Sequence, residues 1–179
     1  SQIKKNNLQK KFLLSHPIAG SEKSGFLYSS ENLFEDKVSI VLKHKGISKN
    51  ALQISQELWS ELGSKTFNLD SKFHDRIFSL TSHIPHIVAF SLISLLSKRK
   101  DLDYKKFMGG GFKDFTRIAA SDPKMWENIF TLNKKNILKD INRLQEELNT
   151  FKKLLLKDEQ RKIESHLKKI KKTKESLNK

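Results

Sequence analysis

From residue 71 onward, apolar residues recur every three or four positions along the chain. The members of this repeat are Phe73, Ile77, Leu80, Ile84, Val88, Leu92 and Leu95. The spacing places them on one helix face and predicts one long, largely buried helix over residues 71–98, with Asp70 as its N-cap. Pro85 interrupts the repeat and cannot donate to the carbonyl four residues earlier. We therefore expect a kink or a local opening beside His83 and His86.

The residues before this helix follow a different pattern. Short apolar segments at residues 10–15 and 37–43 predict β-strands, and residues 65–69 predict a third, weaker one. Between the second and third strands an apolar stripe predicts a helix over residues 48–62, with Gly63 as its C-terminal stop. That stripe consists of Ala51, Ile54, Leu58 and Leu62. The beginning of the chain is therefore predicted to be α/β.

The remainder of the chain is predicted to be helical. The run MGGGF at residues 108–112 predicts a flexible joint, and Asp122 followed by Pro123 predicts a helix start. A narrow apolar seam begins after Lys134, with a break predicted near residues 157–159. The seam consists of Ile137, Ile141, Leu144, Leu148, Phe151, Ile163, Leu167 and Ile170. Such a seam requires a partner helix, either from this chain or from a second subunit, and we favour a helical hairpin that forms a homodimer.

The composition excludes several classes of protein. The chain of 179 residues has no cysteine, which excludes disulfides, thiolate catalysis and cysteine-ligated zinc. It has no uninterrupted run of about eighteen apolar residues and no apolar segment at its N-terminus. We therefore expect neither a membrane span nor a secretory leader, and we predict a cytoplasmic protein.

The charge of the chain has two interpretations. The formal net charge is +15, and residues 151–179 carry ten Lys and one Arg against four acidic residues. No aromatic residue follows Phe151, so this region offers no platform for base stacking. We favour a solvated, lysine-rich helix face and expect no nucleic-acid partner. The alternative is a basic helical nucleic-acid-binding or scaffold protein.

His16 and Arg117 are the candidates for chemistry. His16 follows the first predicted strand, and Pro17 keeps the chain extended, so the imidazole can act as a general base near neutral pH. Core packing explains His16 equally well. Arg117 is the only arginine in an apolar segment and requires an anion, either a protein carboxylate such as Asp114 or Glu22 or a bound carboxylate.

Other polar and aromatic residues favour simpler explanations. His83 and His86 have a spacing that a metal site can use, but no third ligand lies nearby, so we predict no metal. His44 and His166 are expected to be solvated. Trp126 is predicted to lie in the core rather than in a pocket wall.

Three segments together resemble the prephenate dehydrogenase family. They are HPIAGSEKSG at residues 16–25, SHIPHIVAFSL at 82–92 and GGGFKDFTRIAASDPKMWENIF at 109–130. The resemblance runs from residue 16 to residue 156. It implies an α+β fragment that is mostly α: a remnant of a Rossmann-type α/β domain over residues 1–70, then an all-helical dimerisation domain over 71–179. This second part is similar to the C-terminal domain of 6-phosphogluconate dehydrogenase.

The resemblance implies an oxidative decarboxylation of prephenate or arogenate with NAD or NADP, in tyrosine biosynthesis. In that reaction a base takes the proton of the ring 4-hydroxyl, hydride passes to the nicotinamide, and the ring carboxylate is lost. The resemblance makes His16 the catalytic base and Arg117 the ligand of a substrate carboxylate. It places His86 and Trp126 in the same pocket.

The resemblance also implies residues that control access to the pocket. Glu22 and Asp114 would form an ionic network around Arg117 that gates entry, and Lys113 would reach in from the neighbouring subunit of a homodimer. Prephenate and arogenate both remain open as the substrate, and so do NAD and NADP as the cofactor.

The chain lacks the dinucleotide-binding motif that the resemblance implies. Dinucleotide-dependent dehydrogenases carry a G-x-G-x-x-G turn between a strand and a helix, and none of the seven glycines here forms it. We therefore interpret the chain as the last part of a nucleotide-binding domain plus the helical domain. Alone, it is expected neither to bind the dinucleotide tightly nor to turn over. A chain kept only for dimer formation is a third interpretation.

Overall fold

The computed structural model describes residues 12–20, 25–99, 101 and 103–177. They belong to two compact units, residues 1–137 and residues 138–179. The strands of the described residues are β1 (Leu14–Ile18), β2 (Val38–Lys43) and β3 (Lys65–Asp70). The α-helices are α1 (Lys49–Glu61), α2 (Ser71–Phe78), α3 (Ile84–Ser97), α4 (Gly110–Thr116), α5 (Pro123–Leu132), α6 (Lys134–Leu156) and α7 (Gln160–Ser176). A π-helical turn covers Ser79–His83, and 3₁₀ turns cover Phe26–Tyr28, Lys105–Phe107 and Arg117–Ala120.

The three strands form one sheet with β2 in the middle. β1 pairs antiparallel to β2, with His16 opposite Ile40. β3 pairs parallel to β2, with Val38 opposite Lys65, and α1 is the crossover that a parallel pair requires. Ile40 and Val41 are successive residues and both are buried, so β2 is covered on both faces. This confirms the prediction of an α/β beginning.

Helix α1 begins and ends where the sequence predicts. The Ser48 hydroxyl accepts a hydrogen bond from the N–H of Ala51 at 3.1 Å, and Gly63 has φ of +78°, the left-handed conformation that ends a helix. Most of the apolar stripe that predicts this helix is exposed, since Ile54, Leu58 and Leu62 are 56%, 57% and 44% exposed. The opposite side of α1 faces inward instead, where Trp59 packs edge-on against Phe34 at 5.2 Å.

The predicted long helix over residues 71–98 is present as α2, the π-helical turn and α3. It is not largely buried as predicted, because Phe73, Leu80 and Leu95 are 43%, 58% and 61% exposed. Asp70 caps it by accepting from the N–H groups of Lys72 and Phe73. In the π turn the N–H of Ile84 donates to the carbonyl of Ser79, five residues earlier. This widened turn directly precedes Pro85 and confirms the predicted local opening.

The helical segment Ser71–Ser97 contains an 18-residue window with a mean hydropathy of 1.4, which is long and apolar enough to cross a membrane by length and composition alone. The prediction of no membrane span depended on the lack of an uninterrupted apolar run, whereas this criterion tolerates isolated polar residues within the segment. The core helix of a water-soluble domain meets the same criterion. Here 17% of that window is buried, and Ile84 and Ala89 are among its buried residues.

The triple glycine is part of a helix rather than a flexible joint. Gly109 is the N-cap of α4, and Gly110 and Gly111 form its first turn. Glycine is a weak helix former, by about 1 kcal/mol relative to alanine, but the first turn tolerates it. The predicted helix start at Asp122 is confirmed, because its carboxylate accepts from the N–H of Met125 at 2.6 Å.

The second unit contains a helical hairpin. Asp158, with φ of +48°, lies at the predicted break between α6 and α7. The His166 ring of α7 packs edge-on against Phe151 of α6 with centroids 5.1 Å apart, so His166 is not solvated as predicted. Part of the seam remains exposed, including Leu148, Leu167 and Ile170.

Candidate active site

A cleft of about 580 Å³ opens beside β1 in the first unit. Its wall comes from β1, from the junction of α2 with the π turn and α3, and from the 3₁₀ turn Arg117–Ala120. Its polar lining includes His16, Thr81, Ser82, His86, Arg117 and Ser121. This volume suits a small metabolite, and the lining combines two imidazoles with one permanent cation.

His16 lies in the middle of β1 rather than after the first strand as predicted, because the strand runs over Leu14–Ile18, and it is half-buried. Its Nδ1 is 2.8 Å from Nε2 of His74, and no described residue forms a hydrogen bond with its Nε2. Burial, and secondarily the nearby His74, lower the pKa of His16 below its ordinary value of 6.5. The imidazole is therefore neutral at pH 7 and can accept a proton.

His74 and Asp75 are site residues to which the sequence assigned no role. His74 Nδ1 is 2.9 Å from Oδ1 of Asp75, which joins both residues to His16. The ring of Phe78, one turn after His74, lies 4.7 Å from His16 and 4.6 Å from His74. The spacing of four between His74 and Phe78 indicates a shared helix face, but it does not indicate that β1 lies against that face.

His86 lies in the cleft, and Trp126 lies behind it. Their rings stack with centroids 3.8 Å apart and an angle of 28°, and Trp126 is only 5% exposed. His86 Nδ1 donates to the carbonyl of Ser82 at 2.9 Å, while burial lowers the pKa of His86. Trp126 thus fixes the position of the His86 ring without being part of the cleft lining.

His83 has a separate environment from His86. Its Nδ1 accepts from Nδ2 of Asn133 at 3.2 Å, and burial is the main cause that lowers its pKa. Within the part of the chain that the structure describes, no group of three His, Cys, Asp or Glu side chains is arranged to hold a metal ion.

The other sequence-predicted residues lie around Arg117. Arg117 begins its 3₁₀ turn, is exposed, and lines the same cleft as His16 and His86. Lys113 and Asp114 are exposed residues of α4 and do not belong to the lining. Glu22 lies outside the described residues.

The first unit combines a β-α-β unit of the kind found in nucleotide-binding α/β domains with helices that help to form a cleft lined by histidines and an arginine. Residues 1–68 match "Prephenate dehydrogenase, nucleotide-binding domain". Residues 70–169 match "Prephenate dehydrogenase, dimerization domain". The chain belongs to the prephenate dehydrogenase family.

Individual relatives agree with this assignment. The chain is 38% identical over 129 residues to the prephenate dehydrogenase of Bacillus subtilis strain 168, covering 71% of this chain and 35% of the relative. It is 33% identical over 122 residues to the cyclohexadienyl dehydrogenase of Zymomonas mobilis, covering 66% of this chain and 42% of the relative. The chain thus spans less than half the length of these relatives. The comparisons give the nucleic-acid-binding interpretation no support.

A solved structure is similar over nearly the whole chain. It is the prephenate dehydrogenase of A. aeolicus in complex with hydroxyphenyl propionate and NAD⁺, with a TM-score of 0.89 and 39% identity. The similarity covers 97% of this chain and 61% of that one. This confirms the predicted fold class, a Rossmann-type remnant followed by helices.

The residues of this chain do not fit the pyrophosphate of a dinucleotide. The turn between β2 and α1 contains one glycine, Gly46, and the G-x-G-x-x-G pattern occurs nowhere in the 179 residues. That pattern lets backbone N–H groups approach the pyrophosphate closely.

Proposed function

We propose that the chain forms the substrate-binding and dimerisation part of an NAD- or NADP-dependent prephenate or arogenate dehydrogenase in tyrosine biosynthesis. The observation that carries this proposal is the presence of His16, His86 and Arg117 in one cleft of about 580 Å³. The relative that binds hydroxyphenyl propionate, an aromatic acid, supports the same class of ligand. A cytoplasmic location is part of the proposal.

His16 is proposed as the general base. Its Nε2 has no hydrogen-bond partner among the described residues, and its lowered pKa keeps it neutral at pH 7. A neutral imidazole can take the proton of the substrate's ring 4-hydroxyl at Nε2 as electron density leaves the carbinol carbon. The imidazolium that results is adjacent to His74, which can share the charge through the Nδ1 contact.

Arg117 is proposed to bind a substrate carboxylate. A guanidinium offers two parallel donors that match a carboxylate, so it orients as well as attracts an anion. His86 is proposed to contact the substrate through Nε2, since its Nδ1 is committed to Ser82. Trp126 would hold the His86 ring at the required angle.

Access to the cleft is proposed to involve the charged residues near Arg117. Glu22 and Asp114 would pair with it in a gating network, and Lys113 would come from the neighbouring subunit. Lys113 and Asp114 both lie on α4, immediately before the turn that holds Arg117. Their position supports a role at the entrance rather than inside the cleft.

We further propose a domain boundary at residue 70 and a homodimer through the helical part, residues 71–179. The apolar residues left exposed on α6 and α7, such as Leu148 and Leu167, support a partner helix from a second subunit. The match to a dimerisation domain over residues 70–169 supports the same assembly.

The test is His16→Asn in an active dehydrogenase that includes this chain. Asparagine is similar in size but cannot accept a proton, so we expect kcat to fall by roughly 10²-fold or more with KM little changed. His44→Asn is the matched control, because His44 lies on the loop after β2 and outside the cleft. An unchanged kcat in His16→Asn would exclude His16 as the base.

A further inference from the structure

Three side chains form a continuous line of contacts from the surface of α2 to the cleft. Asp75 Oδ1 is 2.9 Å from Nδ1 of His74, and Nε2 of His74 is 2.8 Å from Nδ1 of His16. The Asp75 side chain is half exposed, whereas the His74 side chain is only 16% exposed. The line therefore leads from solvent to Nδ1 of His16.

The surrounding structure fixes this line of contacts. The Phe78 ring contacts both imidazoles, and the His16 and His74 rings meet edge-on at 5.1 Å. From another element, Nδ2 of Asn133 donates to the backbone carbonyl of Asp75 at 2.7 Å. The packing of α2 thus determines the positions of Asp75 and His74. The N-cap of α2 is Asp70, so substitution of Asp75 or His74 leaves that cap in place.

The order of donors and acceptors along the line determines where the protons lie. An ionised Asp75 carboxylate can only accept, so Nδ1 of His74 carries the proton between them. In a neutral His74 the other nitrogen, Nε2, is then an acceptor. Nδ1 of His16 must therefore be the donor in the next contact, which leaves Nε2 of a neutral His16 without a proton.

We propose that Asp75 and His74 are positioning residues that hold His16 in the tautomer whose Nε2 is unprotonated and available to a substrate hydroxyl. This inference rests on the proposed function of His16 as the base. The same logic operates where a carboxylate fixes the tautomer of a catalytic histidine in hydrolases. Here the imidazole of His74 lies between the carboxylate and the catalytic histidine. The exposed carboxylate of Asp75 can therefore fix the tautomer of the half-buried His16 without contacting it.

A measurement on the purified chain tests the tautomer without any need for activity. Long-range ¹H–¹⁵N correlation spectra distinguish protonated from unprotonated ring nitrogens of each histidine. At pH 7.5 we expect His16 to carry its proton on Nδ1. In His74→Phe, which keeps an aromatic ring beside Phe78 but removes the acceptor, we expect the proton of His16 to move predominantly to Nε2.

Two further variants separate the role of Asp75 from a general loss of charge or of helix. Asp75→Ala should also redistribute the proton of His16 toward Nε2, whereas Arg76→Ala on the same helix and Glu61→Ala on α1 should not. His83, His86 and Arg117 also lie around His16, and they are unchanged in all of these variants. A His16 that keeps its proton on Nδ1 in both His74→Phe and Asp75→Ala would overturn the proposal.

Kinetics in an active dehydrogenase that includes this chain provide the second readout. We expect His74→Phe to lower kcat by roughly 10- to 100-fold, the usual effect of losing a residue that orients a catalytic group, with KM little changed. If His16→Asn abolishes turnover while His74→Phe retains it in full, this inference fails and the proposed function stands. If His16→Asn itself retains full turnover, the proposed function fails, and the spectra of the purified chain still decide the tautomer.

Discussion

Replacing Asn133 with alanine should destabilise the first unit, because this side chain links the junction of α5 and α6 to α2. Asn133 is 8% exposed. Its Nδ2 donates to the carbonyl of Asp75 at 2.7 Å and to Nδ1 of His83 at 3.2 Å. Its Oδ1 accepts from Nδ2 of Asn136 at 2.7 Å.

The magnitude follows from these three hydrogen bonds. The carbonyl of Asp75 retains its helical bond from the N–H of Ser79, so it is not left unpaired. Nδ1 of the half-buried His83 loses the hydrogen bond from Asn133, and no other described residue bonds to it. With about 1 kcal/mol for each of the two short bonds and less for the longer one, the free energy of unfolding should fall by roughly 2–3 kcal/mol.

Urea unfolding followed by tryptophan fluorescence measures this loss. Both tryptophans, Trp59 and Trp126, lie in the first unit, so the signal reports the unit that contains Asn133. Asn136→Ala removes only the bond to Oδ1 and should cost about 1 kcal/mol. Asn128→Ala, exposed on α5, should cost within about 0.5 kcal/mol. A loss in Asn133→Ala no larger than that in Asn128→Ala would refute the reasoning.

Two further predictions concern pH and substrate binding. Burial lowers the pKa of His16, His83 and His86 below 6.5, so the unfolded chain takes up protons below pH 6.5 that the folded chain does not. The free energy of unfolding, measured by urea titration, should therefore decrease as the pH falls from 7.5 to below 6.5. The decrease should be smaller in His86→Gln, and a free energy that does not change with pH would contradict the prediction. In an active dehydrogenase that includes this chain, Arg117→Lys should raise KM by roughly 10-fold or more with a smaller change in kcat, because an ammonium cannot form a bidentate pair with a carboxylate. A fall in kcat at constant KM would contradict that role.

The parts of the fold that depend on local chemistry could be predicted from the sequence. Asp70 and Ser48 cap helices because their side chains reach N–H groups only two or three residues away. Gly63 ends α1 because the left-handed conformation there requires no distant contact. Pro85 implies a local opening because it lacks a donor. Each of these outcomes is determined within about one helical turn of the residue concerned.

The parts that depend on distant contacts could not be predicted. Two faces of α1 carry apolar residues, and periodicity does not tell which of them packs inward, so it could not indicate that Trp59 contacts Phe34 while Leu58 is exposed. His74 lies 58 residues from His16 in the chain, and only the arrangement of β1 against α2 brings the two imidazoles together. The residue pattern indicated His16 and Arg117 as candidates and the family resemblance implied their roles, but neither gave a role to His74 or Asp75.

The π turn explains how one proline affects the composition of the cleft. An α-helix rotates by about 100° per residue, so Phe78 and His86, eight positions apart, would lie about 80° apart around a regular helix. The π turn Ser79–His83 adds one residue without the corresponding rotation. The rotation from Phe78 to His86 is then that of about seven regular residues, roughly 700°, so the two side chains lie about 20° apart. Phe78 and His86 consequently line the same cleft, although they belong to α2 and α3. Pro85 favours the widened turn by removing a donor, and the widened turn brings His86 to the side of the helix on which Phe78 contacts His16.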